Sequence, residues 1–194
     1  MFKVGITGGV GCGKSTAARF FEAKGFSRID SDALVRDRVL RSEAVVAALR
    51  SRHGPGIFGS GGELDRAALA QRVFADDTER VWLEDLVHPQ VFAIWRDEFA
   101  AGPAKRWIVE VPLLFEKGLE NWFDFTICVA LAPEEQLARL EQRGLSRELA
   151  GQRISKQLPL ARKIELSDYV LWNQGAPEFL QAQVDRLALA LSAA

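Results

Sequence analysis

The residues best suited to chemistry lie near the N-terminus, in the stretch Gly8-Gly9-Val10-Gly11-Cys12-Gly13-Lys14-Ser15. This stretch matches the phosphate-binding pattern G-x-x-x-x-G-K-[ST] at every fixed position. Glycines let several backbone N–H groups point at one phosphate, because side chains would obstruct that close approach. Lys14 adds a positive charge, and Ser15 adds a hydroxyl suited to Mg²⁺. The pattern therefore predicts a loop that holds the phosphates of a nucleotide.

The flanks of this stretch favour the same interpretation. Residues 2–6 have the apolar pattern of a short strand, and apolar residues recur at helical spacing from Lys14 to Gly25. The N-terminus of the helix adds a dipole that favours an anion. The residues predicted to contact ATP here are Gly9, Val10, Gly11, Cys12, Gly13, Lys14, Ser15 and Thr16.

A pair of carboxylates, in Asp30-Ser31-Asp32, follows a second short strand predicted over residues 26–29. Carboxylates at the carboxyl end of a strand in an open α/β sheet face the crevice where ligands bind. Asp30 could hold Mg²⁺ through water, and the other carboxylate could accept a proton from a substrate hydroxyl. The alternative is that one of them merely caps the following helix. Next to a phosphate loop, we favour the functional interpretation.

Composition excludes several classes of protein. The chain has 194 residues, of which 48% are hydrophobic and 26% charged, as in a single globular domain over 1–194. The net charge of −1 provides no basic field, so we expect no nucleic-acid partner. We recognise no secretory signal and no membrane-spanning run, and expect a cytoplasmic location without membrane binding. The two cysteines, Cys12 and Cys128, are expected to be reduced and to bind no metal.

Residues 31–105 form a mostly helical region, longer than an ordinary connection between strands. We interpret it as a helical subdomain inserted over the strand ends, where an acceptor would be recognised. Residues 76–79 resemble a capping box that opens a helix, and His88-Pro89 is expected to interrupt that helix.

The second half of the chain predicts more buried strands, at residues 107–111 and 125–131, and a short one at 168–173 before a C-terminal helix. The sheet is expected to be mainly parallel, in an α/β fold. Glu110 falls where a metal-supporting carboxylate could lie, but equally where a polar residue could simply end a strand.

Basic residues after the strand at 125–131 suit a helical lid over residues 133–166 that neutralises charge on transferring phosphate. Arg139 and Arg143 lie nearest the strand end, and we assign them that role. Interleaved glutamates make an ordinary solvated helix face the simpler account of most other arginines. The remaining basic positions are Arg147, Arg153, Lys156, Arg162 and Lys163.

Taken together, these segments resemble the dephospho-coenzyme A kinase family from end to end. The phosphate loop by itself indicates only a nucleotide, whereas His88-Pro89 and the segment 111–116 are more specific. The matching segments are residues 6–15, 29–32, 64–66 with 73–74, 88–89, 111–116, 136–139 with Arg143, and 167–171 with Asn173.

The resemblance implies a P-loop kinase fold with three α/β/α layers, a helical acceptor-binding subdomain and a lid. It implies transfer of the ATP γ-phosphoryl group to the ribose 3′-hydroxyl of dephospho-coenzyme A, with Mg²⁺ as cofactor, to give coenzyme A. By this likeness Asp32 is the base, and Lys14, Arg139 and Arg143 act on the phosphates. Asn173 would lie near the adenine, and no obligatory protein partner is implied. The residues expected at the acceptor are Thr7, Asp32, His88, Pro112 and Leu113.

Two departures from the family pattern are Ser31, where alanine is usual, and Cys12, where serine is usual. Both leave the carboxylates and the glycines in place. A shikimate-kinase-like enzyme is the alternative within kinases, but residues 111–114 replace the glycine cluster expected there. A nucleotide-dependent switch or binding protein is the non-kinase alternative. The chain has no Asn-Lys-x-Asp guanine-recognition motif, which counts against a GTPase switch.

Overall fold

The computed structural model describes residues 2–102 and 105–193. Its strands are β1 (Phe2–Gly8), β2 (Ser27–Asp30), β3 (Arg106–Glu110), β4 (Phe125–Ala130) and β5 (Tyr169–Trp172). Within the described residues these five strands form one parallel sheet in the order β2-β3-β1-β4-β5. The predicted α/β fold with a parallel sheet is confirmed.

The helices connect and cover these strands. They are α1 (Lys14–Ala23), α2 (Ser31–Asp37), α3 (Glu43–His53), α4 (Arg66–Ala75), α5 (Asp77–Ala101), α6 (Pro133–Gln142), α7 (Arg147–Ser155), α8 (Leu160–Leu166) and α9 (Pro177–Ala193). Short 3₁₀ turns occupy Val39–Arg41, Gly54–Ile57 and Glu120–Trp122. None of the described helices combines the length and apolar character that crossing a bilayer requires.

Strand β1 lies in the middle of the sheet and is buried on both faces. On one face Val4 and Ile6 belong to a core that includes residues of α1 and α9. On the other face, Gly5 lies against the side chains of Phe123 and Leu114. Burial on both faces explains why the parallel strands read as nearly continuous apolar runs. Because β1 pairs with β3 on one side and β4 on the other, a crevice is expected at its carboxyl end.

The chain divides into two compact units. The first consists of Met1–Asp30 and Gly102–Ala194, within the limits of the described residues, and contains the sheet. The second, Ser31–Ala101, contains α2 to α5. Of the subdomain predicted over 31–105, residues 103 and 104 lie outside the described residues. That the second unit recognises an acceptor stays a prediction.

Helix α5 runs through Pro89 without a break, so the predicted interruption at His88-Pro89 is wrong. Proline removes one backbone hydrogen bond, and a helix tolerates that loss when packing holds both halves in line. Packing is provided by an apolar stripe with a regular spacing of four residues. The stripe consists of the buried side chains Val87, Val91, Trp95 and Phe99. The helix start was predicted correctly, since Asp76 Oδ1 accepts a hydrogen bond from Thr78 N at 2.7 Å.

Candidate active site

The loop between β1 and α1 takes a backbone path that glycine permits. Gly8, Gly11 and Gly13 have φ values of 143°, 80° and 96°. Residues with a side chain rarely adopt these positive φ values, and the loop also lacks space for a Cβ atom at two of the three positions. A Cβ on Gly13 would collide with the side-chain amide of Asn173, and a Cβ on Gly8 would collide with the Val129 carbonyl. The backbone path of the loop therefore requires these glycines, and its role as a phosphate cradle stays a prediction.

Lys14 lies over this loop and opens α1. Its Nζ donates to the carbonyl oxygens of Gly8 at 3.1 Å and Gly9 at 3.0 Å. The first turn of α1 begins at the same point, since Thr16 N donates to Gly13 O at 3.0 Å. An ammonium group and the positive end of a helix dipole thus meet at one loop, which favours an anion.

Ser15 and Glu110 are in direct contact. The Ser15 hydroxyl donates to Glu110 Oε2 at 2.7 Å. Arg28 donates from Nε to the other carboxylate oxygen, Oε1, at 2.8 Å, and its Nη2 is 3.4 Å from Asp30 Oδ2. The Glu110 side chain is only 4% exposed, so its charge is compensated by Arg28 rather than by water. The contact shows that Glu110 is more than a polar strand end, since it holds the Ser15 hydroxyl, and its support of a metal stays a prediction.

Asn173 and Arg139 support the same loop from behind. Asn173 is buried, and its Nδ2 donates to the Cys12 carbonyl at 2.8 Å. Arg139 Nη2 donates to the Asn173 carbonyl at 2.8 Å. Arg143, by contrast, is exposed at the end of α6, and its side chain forms no hydrogen bond or ion pair with a described residue. The structure thus brings Arg139 and Asn173 to the phosphate loop, and leaves Arg143 facing solvent.

Thr7 and Pro112, two of the residues expected at the acceptor, touch each other. Thr7 is fully buried, and its hydroxyl donates to the Pro112 carbonyl at 3.2 Å. The same carbonyl accepts a hydrogen bond of 2.6 Å from Lys163 Nζ. Leu113 follows in the chain and is half-buried. Thr7 therefore holds the backbone of the segment after β3 and lies beneath that segment.

Lys163 is a residue whose environment sequence reasoning missed. It was grouped with the basic positions of the predicted lid, yet its side chain has no exposed surface. Its Nζ lies 2.8 Å from Glu116 Oε1. Glu116 belongs to the segment that carried the family resemblance, but no role was assigned to it. The sequence contained one signal of this burial, namely that Lys163 lies between apolar residues of α8 such as Leu160 and Ile164.

The other predicted acceptor residues belong to the second unit. Asp32 lies in the first turn of α2 with an exposed side chain. His88 lies within α5, and its ring centroid is 5.8 Å from that of Phe92. Their roles as base and acceptor contact stay predictions.

The two cysteines are buried free thiols, as expected. Burial raises the pKa of the Cys12 thiol, although Lys14 opposes the effect. Burial also raises the pKa of Cys128, to about 12, and the nearby Cys12 adds to this shift. Cys12 is therefore a small packing residue in the loop and not an activated nucleophile.

The donor atoms present suit a magnesium ion shared with phosphates. The described residues contain no group of three or more His, Cys, Asp or Glu side chains that could hold a metal by themselves. Mg²⁺ prefers oxygen ligands, keeps several waters and commonly shares its shell with substrate phosphates. A serine hydroxyl backed by a carboxylate, as in Ser15 and Glu110, fits that kind of site.

A glycine loop at the end of a central parallel strand, followed by Lys-Ser and a helix, defines a nucleotide-binding protein of the P-loop class. The dephospho-CoA kinase family model matches residues 2–178. The chain belongs to the dephospho-CoA kinase family.

Individual relatives agree with this assignment. The chain is 43% identical to a dephospho-CoA kinase of Thermosynechococcus vestitus, over 96% of this chain and 93% of the relative. It is 35% identical to that of Corynebacterium efficiens, over 96% of each chain. A crystal structure from Thermus thermophilus has a TM-score of 0.84 at 36% identity, covering 98% and 97% of the two chains.

More distant structures share the fold. A dephospho-CoA kinase from Campylobacter jejuni has a TM-score of 0.73 at 24% identity, covering 98% and 96%. A shikimate kinase from Bacteroides thetaiotaomicron has a TM-score of 0.53 at 16% identity, covering 98% of each chain. The predicted family, enzyme class and activity, ATP-dependent phosphorylation of dephospho-coenzyme A in coenzyme A biosynthesis, are thereby confirmed.

Proposed function

We propose that the chain transfers the γ-phosphoryl group of ATP to the ribose 3′-hydroxyl of dephospho-coenzyme A, using the residues described above. Family membership supports the reaction. The observation that carries the residue assignment is the contact between Ser15 and Glu110, because it supports a metal-ligating hydroxyl beside the glycine loop.

In this mechanism the phosphate loop and Lys14 bind the β- and γ-phosphates. The Ser15 hydroxyl would hold Mg²⁺ beside the phosphates, and the ion would supply neutralisation of their charge. Glu110 holds Ser15 in place by accepting a hydrogen bond from its hydroxyl. Asp30 would hold the metal only through water, and Arg28 Nη2 lies 3.4 Å from its carboxylate oxygen Oδ2.

The acceptor half of the mechanism is assigned to individual residues. Asp32 orients the 3′-hydroxyl and removes its proton, and His88 contacts the acceptor. Pro112 and Leu113 border the acceptor above the floor formed by Thr7. Arg139 and Arg143 neutralise charge on the transferring phosphoryl group, and Arg139 does so from its position beside Asn173.

We also propose that the lid comprises residues 133–166, and that the enzyme works in the cytoplasm without nucleic-acid or obligatory protein partners. Two buried free thiols suit a reducing compartment. The net charge of −1 favours recognition of anionic substrates through local lysines and arginines.

The test uses purified full-length protein with ATP, Mg²⁺ and dephospho-coenzyme A, and identifies the product by mass spectrometry and by sensitivity to a 3′-nucleotidase. We expect one ADP for each 3′-phosphate formed. A parallel reaction with shikimate, and one without an acceptor, cover the alternatives. Faster ADP release in either parallel reaction would contradict the proposal.

A further inference from the structure

Val10 lies in the middle of the phosphate loop, and both of its backbone polar groups are held by glutamine side chains. Gln157 Oε1 accepts a hydrogen bond of 2.9 Å from the Val10 N–H. Gln136 Nε2 donates a hydrogen bond of 2.7 Å to the Val10 carbonyl. The two glutamines lie 147 and 126 residues from Val10 in the sequence. We call this pair of contacts the Val10 clamp.

Gln136 is fixed by its own surroundings. It lies in the first turn of α6, and only 4% of its surface is exposed. A Cβ on Gly9 would lie 2.6 Å from Gln136 Nε2, so the glycine at position 9 makes room for this side chain. The conserved spacing of a phosphate loop does not require that contact, since position 9 is a variable position of the pattern.

Gln157 is fixed through its neighbour in the chain. Leu158 N donates to Glu116 Oε1 at 2.9 Å, and that carboxylate is paired with the buried Lys163. The buried ion pair therefore anchors the turn between α7 and α8 that carries Gln157. This gives Glu116 and Lys163 a structural purpose that connects them to the phosphate loop.

We infer that Gln136 and Gln157 are positioning residues that hold the phosphate loop ready for ATP. Peptide groups are planar, so fixing the N–H and the C=O of Val10 restricts the peptides on either side of it. A loop that is already ordered loses less conformational freedom when the triphosphate binds. Both glutamines lie within the predicted lid region 133–166, so the clamp couples that region to the loop. The inference rests on the proposed ATP site.

The expected effect is specific to ATP. Gln157→Met keeps the side-chain length but removes the acceptor, and should raise the KM for ATP about fivefold, in line with one lost neutral hydrogen bond. The KM for dephospho-coenzyme A should stay within about twofold, because none of the proposed acceptor residues belongs to the clamp. Gln152→Met is the matched control, since Gln152 is an exposed glutamine of α7.

The clamp is tested without nucleotide by amide hydrogen exchange of Val10, followed by nuclear magnetic resonance. Gln157→Met should expose the Val10 N–H to exchange, Gln157→Glu should restore its protection because a carboxylate still accepts, and Gln136→Met should leave it protected. Unchanged exchange in Gln157→Met would overturn the clamp. Faster exchange without a rise in the KM for ATP would overturn the positioning role.

The outcome is separable from that of the proposed function. Calorimetric titration of the wild-type protein with ATP tests the ATP site directly, and failure there would refute the proposed function. Amide exchange in the nucleotide-free protein reports on the clamp whether or not ATP binds. Thermal melting of each variant identifies any that fail to fold. If Gln157→Met is one of them, Gln157→Ala, which also lacks the acceptor, takes its place in the exchange measurement.

Discussion

The Ser15 hydroxyl donates a hydrogen bond of 2.7 Å to Oε2 of Glu110, which lies 95 residues further along the chain. Arg28 holds the second oxygen of the same carboxylate. With one oxygen anchored by a guanidinium group, the other is aimed at the hydroxyl that the phosphate-loop pattern assigns to magnesium. Glu110 is thus placed to set the direction of the Ser15 lone pairs.

The first prediction concerns this carboxylate. Glu110→Gln should raise the half-saturating Mg²⁺ concentration about tenfold, as is common when the partner of a metal ligand is changed. Metal-free ATP binding should be unaffected, because the loop and Lys14 are intact. Initial rates across a Mg²⁺ titration measure the effect, and Glu120→Gln, at an exposed position, is the control. An unchanged Mg²⁺ dependence would return Glu110 to the status of a polar strand end.

The second prediction concerns the proposed base. Asp32→Asn should lower kcat by about 10²-fold or more, the usual contribution of general-base catalysis. ATP affinity should be nearly unchanged, since Asp32 acts on the acceptor. Steady-state kinetics and ATP titration measure the two quantities. The control is Asp37→Asn, which changes an exposed carboxylate at the other end of α2. Asp37 pairs with Arg36, whose hydrogen bond lowers the pKa of the Asp37 carboxyl. Turnover close to wild type in Asp32→Asn would rule out the assignment.

The third prediction separates the two lid arginines. Arg139→Met and Arg143→Met should each lower kcat, by about 10- to 100-fold, if both neutralise charge in the transition state. Only Arg139→Met should also weaken ATP binding, because Arg139 holds the carbonyl of Asn173. Arg147→Met is the control, because Arg147 is an exposed arginine of the same region. Its Nη1 lies 3.5 Å from Glu141 Oε1. Full activity in Arg143→Met would remove Arg143 from the site.

The fourth prediction concerns the buried ion pair. Lys163→Met should lower the free energy of unfolding by about 3 kcal/mol, because it leaves the largely buried Glu116 carboxylate without its cationic partner. The double variant Lys163→Met/Glu116→Gln should recover part of this loss. Urea denaturation measures both. Arg162→Met is the control, since its exposed pair with Glu165 should contribute less than about 1 kcal/mol. Equal losses at the two positions would contradict the burial of Lys163.

The fifth prediction concerns pH. Burial raises the pKa of Cys128 to about 12, so above its ordinary pKa the unfolded thiol ionises while the folded thiol keeps its proton. The unfolded state then binds fewer protons, and stability falls as pH rises, by up to about 1.4 kcal/mol per pH unit. Denaturation of wild type and Cys128→Ala between about pH 9 and about pH 11 isolates this contribution. Equal slopes in the two proteins would contradict it.

Local patterns predicted the elements that depend on neighbours in the chain. The glycine loop, the strand before it and the start of α5 at Asp76 all follow from contiguous residues and were predicted correctly. The interruption predicted at Pro89 is wrong, because the buried stripe across residues 87–99 outweighs the local effect of one proline. The basic residues after β4 were treated as one group, although burial separates Lys163 from its exposed neighbours.

The amino-acid sequence by itself determined the class of protein, the family and the phosphate loop, because each depends on residue types at short, regular spacing. Tertiary structure alone decided which partners the isolated polar residues take. Ser15 meets Glu110, and Val10 meets two glutamines, because strands and helices far apart in sequence pack side by side. A buried charge or amide must find a partner within about 3 Å, and only the packed chain determines which group is there.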